Sequence, residues 1–188
     1  MKKEESVHVL TGEKVKAFFL DKDGVLVDNS GYPGIIPSDV LLHDDIITGL
    51  QLIHSKGYKI FIVSNQPWIA KGRLTVSETE AIFQRVITQL KEHDIVIEKH
   101  MYCPHQRADN CKCKKPYTGL IDALIEEYDI DKNESFIVGD MDSDILLGQR
   151  AGIKTILVRT GRGKDFENSV HSDFVIDNIN AIKEVFYG

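Results

Sequence analysis

The stretch Phe18-Phe19-Leu20-Asp21-Lys22-Asp23-Gly24 decides the fold of this chain. An apolar run reaching back to Val15 reads as a buried strand, and two carboxylates arrive where it ends. Residues two apart on an extended backbone project to the same side, so Asp21 and Asp23 share one space, and Gly24 lets the chain turn away from it.

Working outward, the same pattern of a short β-branched or aromatic run followed by an amphipathic stretch recurs along the chain. Helix is expected over Asp44–Lys56, with Ile46, Ile47, Leu50 and Ile53 at helical spacing before the stop signal Gly57. Tyr58–Val63 reads as the next strand. Ser77–His93 reads as a helix with Ser77 as its N-cap and Ile82, Phe83, Val86, Ile87 and Leu90 as its buried stripe. Further strands are expected at Ile95–Tyr102, Ser135–Val138, Lys154–Val158 and Asp173–Ile176, and helices at Thr118–Tyr128, Ser143–Ala151 and Asn178–Phe186. Alternation of this kind specifies an α/β domain with a central, mainly parallel sheet between helical layers. Three polar clusters follow directly on predicted strands: Asp21-Lys22-Asp23, Ser64-Asn65-Gln66 and Asp140-Met141-Asp142-Ser143-Asp144. Open parallel sheets bind ligands at the carboxyl ends of their strands, so one edge should gather all three.

Bulk properties bound the rest. The chain has 188 residues, 42% of them hydrophobic and 28% charged, enough for one core and one domain spanning 1–188. The apolar runs are too short to span a bilayer, and Lys2, Lys3, Glu4 and Glu5 leave no apolar signal core, so a cytoplasmic protein without a membrane partner is expected. A net charge of -6 argues against broad nucleic-acid binding. A monomer acting on a small molecule is the expectation.

A strand-end aspartate on its own caps a helix or holds a turn as readily as it does chemistry. Together the clusters suggest more. Asp21 would be a nucleophile, and Asp23 would give a proton to a leaving oxygen and later take one from water. A carboxylate attacking a phosphate dianion needs a cation, for which Mg²⁺ on oxygen ligands is the natural choice and Asp140 the obvious further carboxylate. Competing motifs fail. Asp21-Lys22-Asp23-Gly24 lacks the position-six Gly and position-twelve Glu of a helix-loop-helix calcium loop, no phosphate-binding G-x-x-x-x-G-K-S/T occurs, and Gly161-Arg162-Gly163 lacks the third glycine of a dinucleotide fingerprint.

Cys103, His105, Cys111 and Cys113 pack three thiols and one imidazole into eleven residues, a Cys₃His set suited to a closed tetrahedral Zn²⁺ site. Free buried thiols, or a redox pair at Cys111 and Cys113, are the alternatives. The loop over 103–113 runs into Lys114-Lys115-Pro116, so a metal there would fix the backbone that presents Lys115.

These motifs, Asp21-Lys22-Asp23-Gly24-Val25, Ser64 after a strand, Lys115, and Gly139-Asp140-x-x-x-Asp144, resemble in order the four motifs of the haloacid dehalogenase superfamily, over positions 15 to 160. The resemblance implies a three-layer Rossmann-like core. It also implies roles: Asp21 as nucleophile, Asp23 as general acid/base, Ser64 as a phosphate hydrogen-bond donor and Lys115 as the neutralising cation. Mg²⁺ would be held by Asp140, Asp21 and the backbone carbonyl of Asp23, with Asp144 in support. The run C-P-H followed by C-x-C and a basic pair is similar to the subfamily of heptose 1,7-bisphosphate phosphatases and histidinol-phosphate phosphatases. The stretch Ser64–Thr75 resembles its heptose branch more.

About 40 residues separate Gly24 from Ser64 and about 50 separate Ser64 from Lys115, so no separate cap domain fits. The site should be open, shaped by a 29–37 flap, the Pro67–Thr75 loop and the zinc loop. Asn65, Gln66 and Lys114 are expected to touch substrate, and Lys71, Arg73, Arg159 and Arg162 are further candidates for a second anionic contact. Lys114 and Met141 depart from the heptose pattern, which carries Arg and a basic residue at those places. A heptose bisphosphate or related sugar phosphate is the expected ester. Histidinol phosphate is the alternative, and a zinc-stabilised binding protein without activity is the reading from a different class.

Overall fold

The computed structural model describes residues 12–28, 42–43 and 46–188. The expected 29–37 flap and the expected start of the first helix at Asp44 lie outside them. Among the described residues a six-stranded sheet forms in the order β3-β2-β1-β4-β5-β6, and every neighbouring pair is parallel. Its strands are β1 (Ala17–Leu20), β2 (Lys59–Asn65), β3 (Ile97–Cys103), β4 (Phe136–Gly139), β5 (Lys154–Val158) and β6 (Phe174–Ile176). The order reverses between β1 and β4, which opens a crevice beyond their carboxyl ends.

The period of two in β1 builds both layers. Phe18 and Leu20 point into one core together with Ile60, Ile62, Val138 and Ile156. That face is covered by α1 (Ile47–Ser55), through Leu50 and Ile53, and by α2 (Val76–Lys91), through Ile82, Phe83, Val86 and Leu90. Ala17 and Phe19 point the other way, among Phe61, Val63 and Ile137. There α3 (Gly119–Tyr128) brings Leu120, Ile121 and Leu124, and α4 (Asp142–Ala151) brings Leu147 and Ala151. A strand buried on both faces reads as a continuous apolar run, which is what residues 17–20 are. No separate cap domain interrupts this order among the described residues, and no helix is long and apolar enough to cross a membrane.

Two details differ from expectation. The N-cap of α2 is Thr75 rather than Ser77: the Glu78 N–H donates to Thr75 Oγ1 at 3.1 Å and the Thr75 N–H donates to Glu78 Oε2 at 2.8 Å. Thr75-Val76-Ser77-Glu78 is a capping box, whose reciprocal pair satisfies two orphan donors where a lone serine would satisfy one. The C-terminal helix is broken into a 3₁₀ turn, Ile179–Ile182, and α6 (Lys183–Tyr187), while the short α5 (Gly163–Phe166) follows β5.

Candidate active site

Asp21 is the first residue past β1, and its N–H donates to the Val138 carbonyl at 3.0 Å, extending the β1–β4 pairing to the crevice. Its carboxylate meets Lys115. The Lys115 ammonium, 3% exposed, lies 3.0 Å from Asp21 Oδ1 and 2.6 Å from Asp144 Oδ1, and it donates to the Val63 carbonyl at 2.9 Å. All three of its N–H bonds are therefore spent, tying β1, β2 and α4 to one point. Burial pulls this lysine down, but Asp144 and Asp21 overcome it and hold the ammonium above the ordinary lysine range.

Asp140 completes the cluster. Carboxylate oxygens of Asp21, Asp140 and Asp144, all buried, lie within 4.8 Å of one another. Three carboxylates against one ammonium leave a formal excess of negative charge. Burial, then repulsion from Asp21, raises Asp140 to about 7. Asp140 Oδ2 accepts from the Arg162 N–H at 2.8 Å, whereas Oδ1 is buried with no hydrogen-bond partner. A buried orphan oxygen among unneutralised carboxylates fits a hard divalent cation on oxygen ligands. Two glycines with positive φ admit this carboxylate: a Cβ on Gly24 (φ +84°) would lie 2.2 Å from Asp140 Oδ2, and one on Gly161 (φ +55°) 2.1 Å from it. Thr160 Oγ1 donates to the Gly24 carbonyl at 2.6 Å, fastening the two glycine turns together.

Asp23 sits 16% exposed at the cavity wall. One of its oxygens pairs with the ammonium of Lys22, and Oδ2 accepts from Gln66 Nε2 at 2.8 Å. Gln66 Nε2 also reaches Ser64 Oγ at 3.1 Å. Ser64 lies near the end of β2 and Gln66 just past it, both buried and neither among the residues that line the cavity. Asn65 clamps the backbone of Lys115 from both sides, Oδ1 accepting from its N–H at 2.9 Å and Nδ2 donating to its carbonyl at 3.2 Å. The side chains of Asn65 and Gln66, expected to contact substrate, are thus engaged in holding Lys115 and Asp23. Asn65 also lines the cavity.

Cys103 ends β3, and its carbonyl accepts from the Gln66 N–H at 2.7 Å. Cys103 Sγ stands 3.5 Å from His105 Nδ1, 3.5 Å from Cys111 Sγ and 3.3 Å from Cys113 Sγ, with His105 Nδ1 3.3 Å from Cys113 Sγ. A tetrahedral zinc site with bonds of about 2.3 Å to sulfur has S···S edges of about 3.8 Å, so four soft donors already stand slightly inside that spacing. Burial drives the Cys103 thiol up. At Cys111 the Lys114 N–H and the neighbouring thiols overcome burial and lower it to about 7. A Cys₃His set at these distances fits zinc, with each sulfur bound as thiolate.

The cavity in front of these groups measures about 820 Å³. Asp21, Asp23, Lys115 and Asn65 form its floor and near wall, and Trp68, Lys114, Tyr117, Met141, Leu146 and Arg150 lie among the residues around them. The candidate second anionic contacts separate clearly. Arg159 is bound by Glu167 and Asp177, Arg162 pairs with Asp165, and Lys71 rests over Trp68. Lys114 does line the cavity, its ammonium pulled down by burial. Two cavity cations, Arg107 and Arg150, were not singled out from the sequence. Arg150 Nη1 donates to the Pro116 carbonyl at 3.1 Å, and its guanidinium lies 5.5 Å over the Tyr117 ring. A signal for it existed: Asp142, Leu146 and Arg150 step by four along α4 and so form one row on its surface, which lines the cavity.

The HAD-hydrolase-like family model matches residues 112–182. A D-glycero-beta-D-manno-heptose-1,7-bisphosphate 7-phosphatase of Pasteurella multocida is 32% identical over 180 residues, spanning 92% of this chain and 97% of its own. A D-glycero-alpha-D-manno-heptose-1,7-bisphosphate 7-phosphatase of Photorhabdus laumondii is 35% identical over 170 residues, spanning 85% and 92%. The crystal structure of a D,D-heptose 1,7-bisphosphate phosphatase from B. bronchiseptica, complexed with magnesium and phosphate, shares the fold with a TM-score of 0.83 at 24% identity, covering 92% of this chain and 98% of that one. The chain belongs to the haloacid dehalogenase superfamily and is one of its phosphatases, a phosphoric monoester hydrolase.

Proposed function

We propose that the chain hydrolyses a phosphorylated sugar, a D-glycero-D-manno-heptose 1,7-bisphosphate in the first instance, through a phosphoenzyme at Asp21. One observation carries the chemistry: the Asp21 carboxylate, 3.0 Å from the Lys115 ammonium, shares a buried cluster with Asp140, whose Oδ1 is orphaned. The sugar assignment is supported by the two relatives and by a cavity that carries Arg107, Lys114 and Arg150 beside the nucleophile, cations suited to a second phosphate.

In the first half-reaction an Asp21 oxygen forms a bond to phosphorus as the bond to the sugar oxygen breaks in line with it, and Asp23 gives that oxygen a proton. The Lys115 ammonium, held against Asp21, offsets the charge of the nucleophile and of the incoming phosphoryl group, and the Ser64 hydroxyl would donate to a phosphoryl oxygen. In the second half-reaction Asp23 takes a proton from water as the water oxygen bonds to phosphorus and the bond to Asp21 breaks, releasing inorganic phosphate. Asp21, Asp140 and the Asp23 carbonyl would hold Mg²⁺, which supplies the positive charge that lets a carboxylate approach a phosphate dianion. Asp144 keeps Lys115 aimed. Cys103, His105, Cys111 and Cys113 would hold a structural Zn²⁺ that fixes the approach to Lys115.

The test is phosphate release from both anomers of the heptose bisphosphate, from hexose phosphates, from histidinol phosphate and from p-nitrophenyl phosphate, with Mg²⁺ and with a chelator. Mg²⁺-dependent release with preference for the bisphosphate is the expected outcome. Preference for histidinol phosphate would overturn the sugar assignment, and no release from any ester would overturn the catalytic one.

A further inference from the structure

Lys22, two residues past the end of β1, departs from the pattern that the strand sets. Its parity is that of Phe18 and Leu20, which feed the core beneath α1 and α2, so an apolar side chain is expected at 22. The lysine is nonetheless buried there, its side chain 2% exposed. Its ammonium stands 5.6 Å from the ring centroid of Phe83, in α2. That ring is itself fixed, stacked on His100 at 4.9 Å and on Tyr102 at 5.2 Å. Glu80 ties the shelf together by bonding His100 Nε2 at 2.9 Å and the Tyr102 hydroxyl. Burying a lysine costs several kcal/mol unless its partner is well placed, and its partner is the Asp23 carboxylate. A local rule broken at this expense marks a functional position.

We propose that Lys22 is a positioning residue for proton transfer by Asp23. Resting on the assignment of Asp23 as proton donor, this adds what aims it. Lys22 holds Oδ1 and Gln66 holds Oδ2, so the carboxyl group cannot rotate about its last bond without losing a buried partner. Each oxygen keeps a second lone pair, and Asp23 lines the cavity, so the clamp leaves a fixed direction in which a proton is passed to the leaving oxygen. Lys22 reaches Asp23 from the α2 side of the sheet, where Phe83 lies, whereas the Lys115 ammonium is held by Asp21, Asp144 and the Val63 carbonyl.

The test uses leaving groups. A sugar alkoxide needs a proton to depart, whereas p-nitrophenolate does not, and kcat/KM reports the step in which Asp21 is phosphorylated. Lys22→Met should lower kcat/KM for the sugar phosphate by about 100-fold, the scale of general acid catalysis, while p-nitrophenyl phosphate stays within about threefold. Lys22→Arg should restore most of the loss. Gln66→Leu releases the other oxygen and also frees Ser64 Oγ, so it should add a smaller loss common to both esters to the same selectivity, and it serves if Lys22→Met does not fold. Asp23→Asn is the reference and should show the selectivity most strongly. Equal loss on both esters in Lys22→Met and Gln66→Leu, or no loss on either, overturns the role of Lys22 and leaves that of Asp23 standing. A uniform loss in Asp23→Asn overturns both.

Discussion

The molecule carries two clusters of potential metal ligands, and they are built in opposite ways. Asp21, Asp140 and Asp144 are oxygen donors drawn together by two strands and a helix from distant parts of the chain, with Asp21 lining the cavity. Cys103, His105, Cys111 and Cys113 are sulfur and nitrogen donors from eleven contiguous residues, with no further position implied by their number. The oxygen cluster borrows its precision from the sheet, whose hydrogen-bond ladder fixes Asp21 against Val138. The cysteine loop has no ladder, and over 104–118 only the three-residue 3₁₀ turn Arg107–Asp109 is regular structure. It needs a cross-link of its own. The two meet at Lys115, held by Asn65 on its backbone and by Asp21 and Asp144 on its ammonium.

The sharpest way to isolate the oxygen cluster is Asp21→Asn. This variant should lose about 10⁴-fold or more in kcat, because a neutral amide cannot be phosphorylated, while the circular dichroism spectrum and bound zinc stay unchanged. Residual turnover of a few per cent would remove Asp21 from its role. The converse experiment attacks the other cluster. Cys113→Ser, or stripping zinc with a strong chelator and restoring Mg²⁺ alone, should cut kcat about 10- to 100-fold. Amide exchange should rise over 103–118 while Mg²⁺ affinity changes little. Equal activity without zinc would make the loop independent of Lys115.

Gly24→Ala tests whether the oxygen cluster is as rigid as its surroundings imply. The added Cβ would lie 2.2 Å from Asp140 Oδ2 and must displace it, so Mg²⁺ affinity, read from activity titrations, should fall about tenfold with zinc content intact. Unchanged affinity would mean that Asp140 does not serve the cation. Smallest is the effect of Arg150→Ala, at the rim between the clusters. It should raise KM for the bisphosphate about tenfold, or about 1.4 kcal/mol, and leave p-nitrophenyl phosphate unaffected. A similar rise for both esters would place Arg150 in support of the Pro116 turn rather than on a second phosphate.

How much of this was legible in the sequence follows from how each part is encoded. The strand run Phe18–Leu20 and the cysteine loop are local patterns, and both appear where they were expected. Asp21 and Asp140 were legible through the strand ends that deliver them, and Lys115 through the ordered motifs and the cysteine loop that runs into it. What escaped depends on partners chosen in three dimensions. Asn65 and Gln66 are polar residues past a strand and read as substrate contacts, because nothing local says that Lys115 and Asp23 will come within reach. Lys22 was given no role of its own in the run between the two acids, although its parity with Phe18 and Leu20 pointed it inward. The capping box Thr75-Val76-Ser77-Glu78 was present in the letters, two residues ahead of the Ser77 expected as the N-cap.

The pairing of β1 with β4 also has a consequence for the life of the chain during synthesis. Phe18 lies opposite Phe136, so the central strand, which leads into Asp21, waits for a neighbour more than a hundred residues downstream. β1 and β2 can associate earlier, but the carboxylate cluster is completed only when Asp140 and Asp144 follow β4. Loop closure over that separation is slow, and contacts of such high sequence separation delay folding. A nascent chain stalled before β4 would therefore display Asp21 and Asp23 at an unpaired strand edge, acidic and inert. Phosphatase activity should appear abruptly, once the ribosome has released β4, rather than grow with chain length.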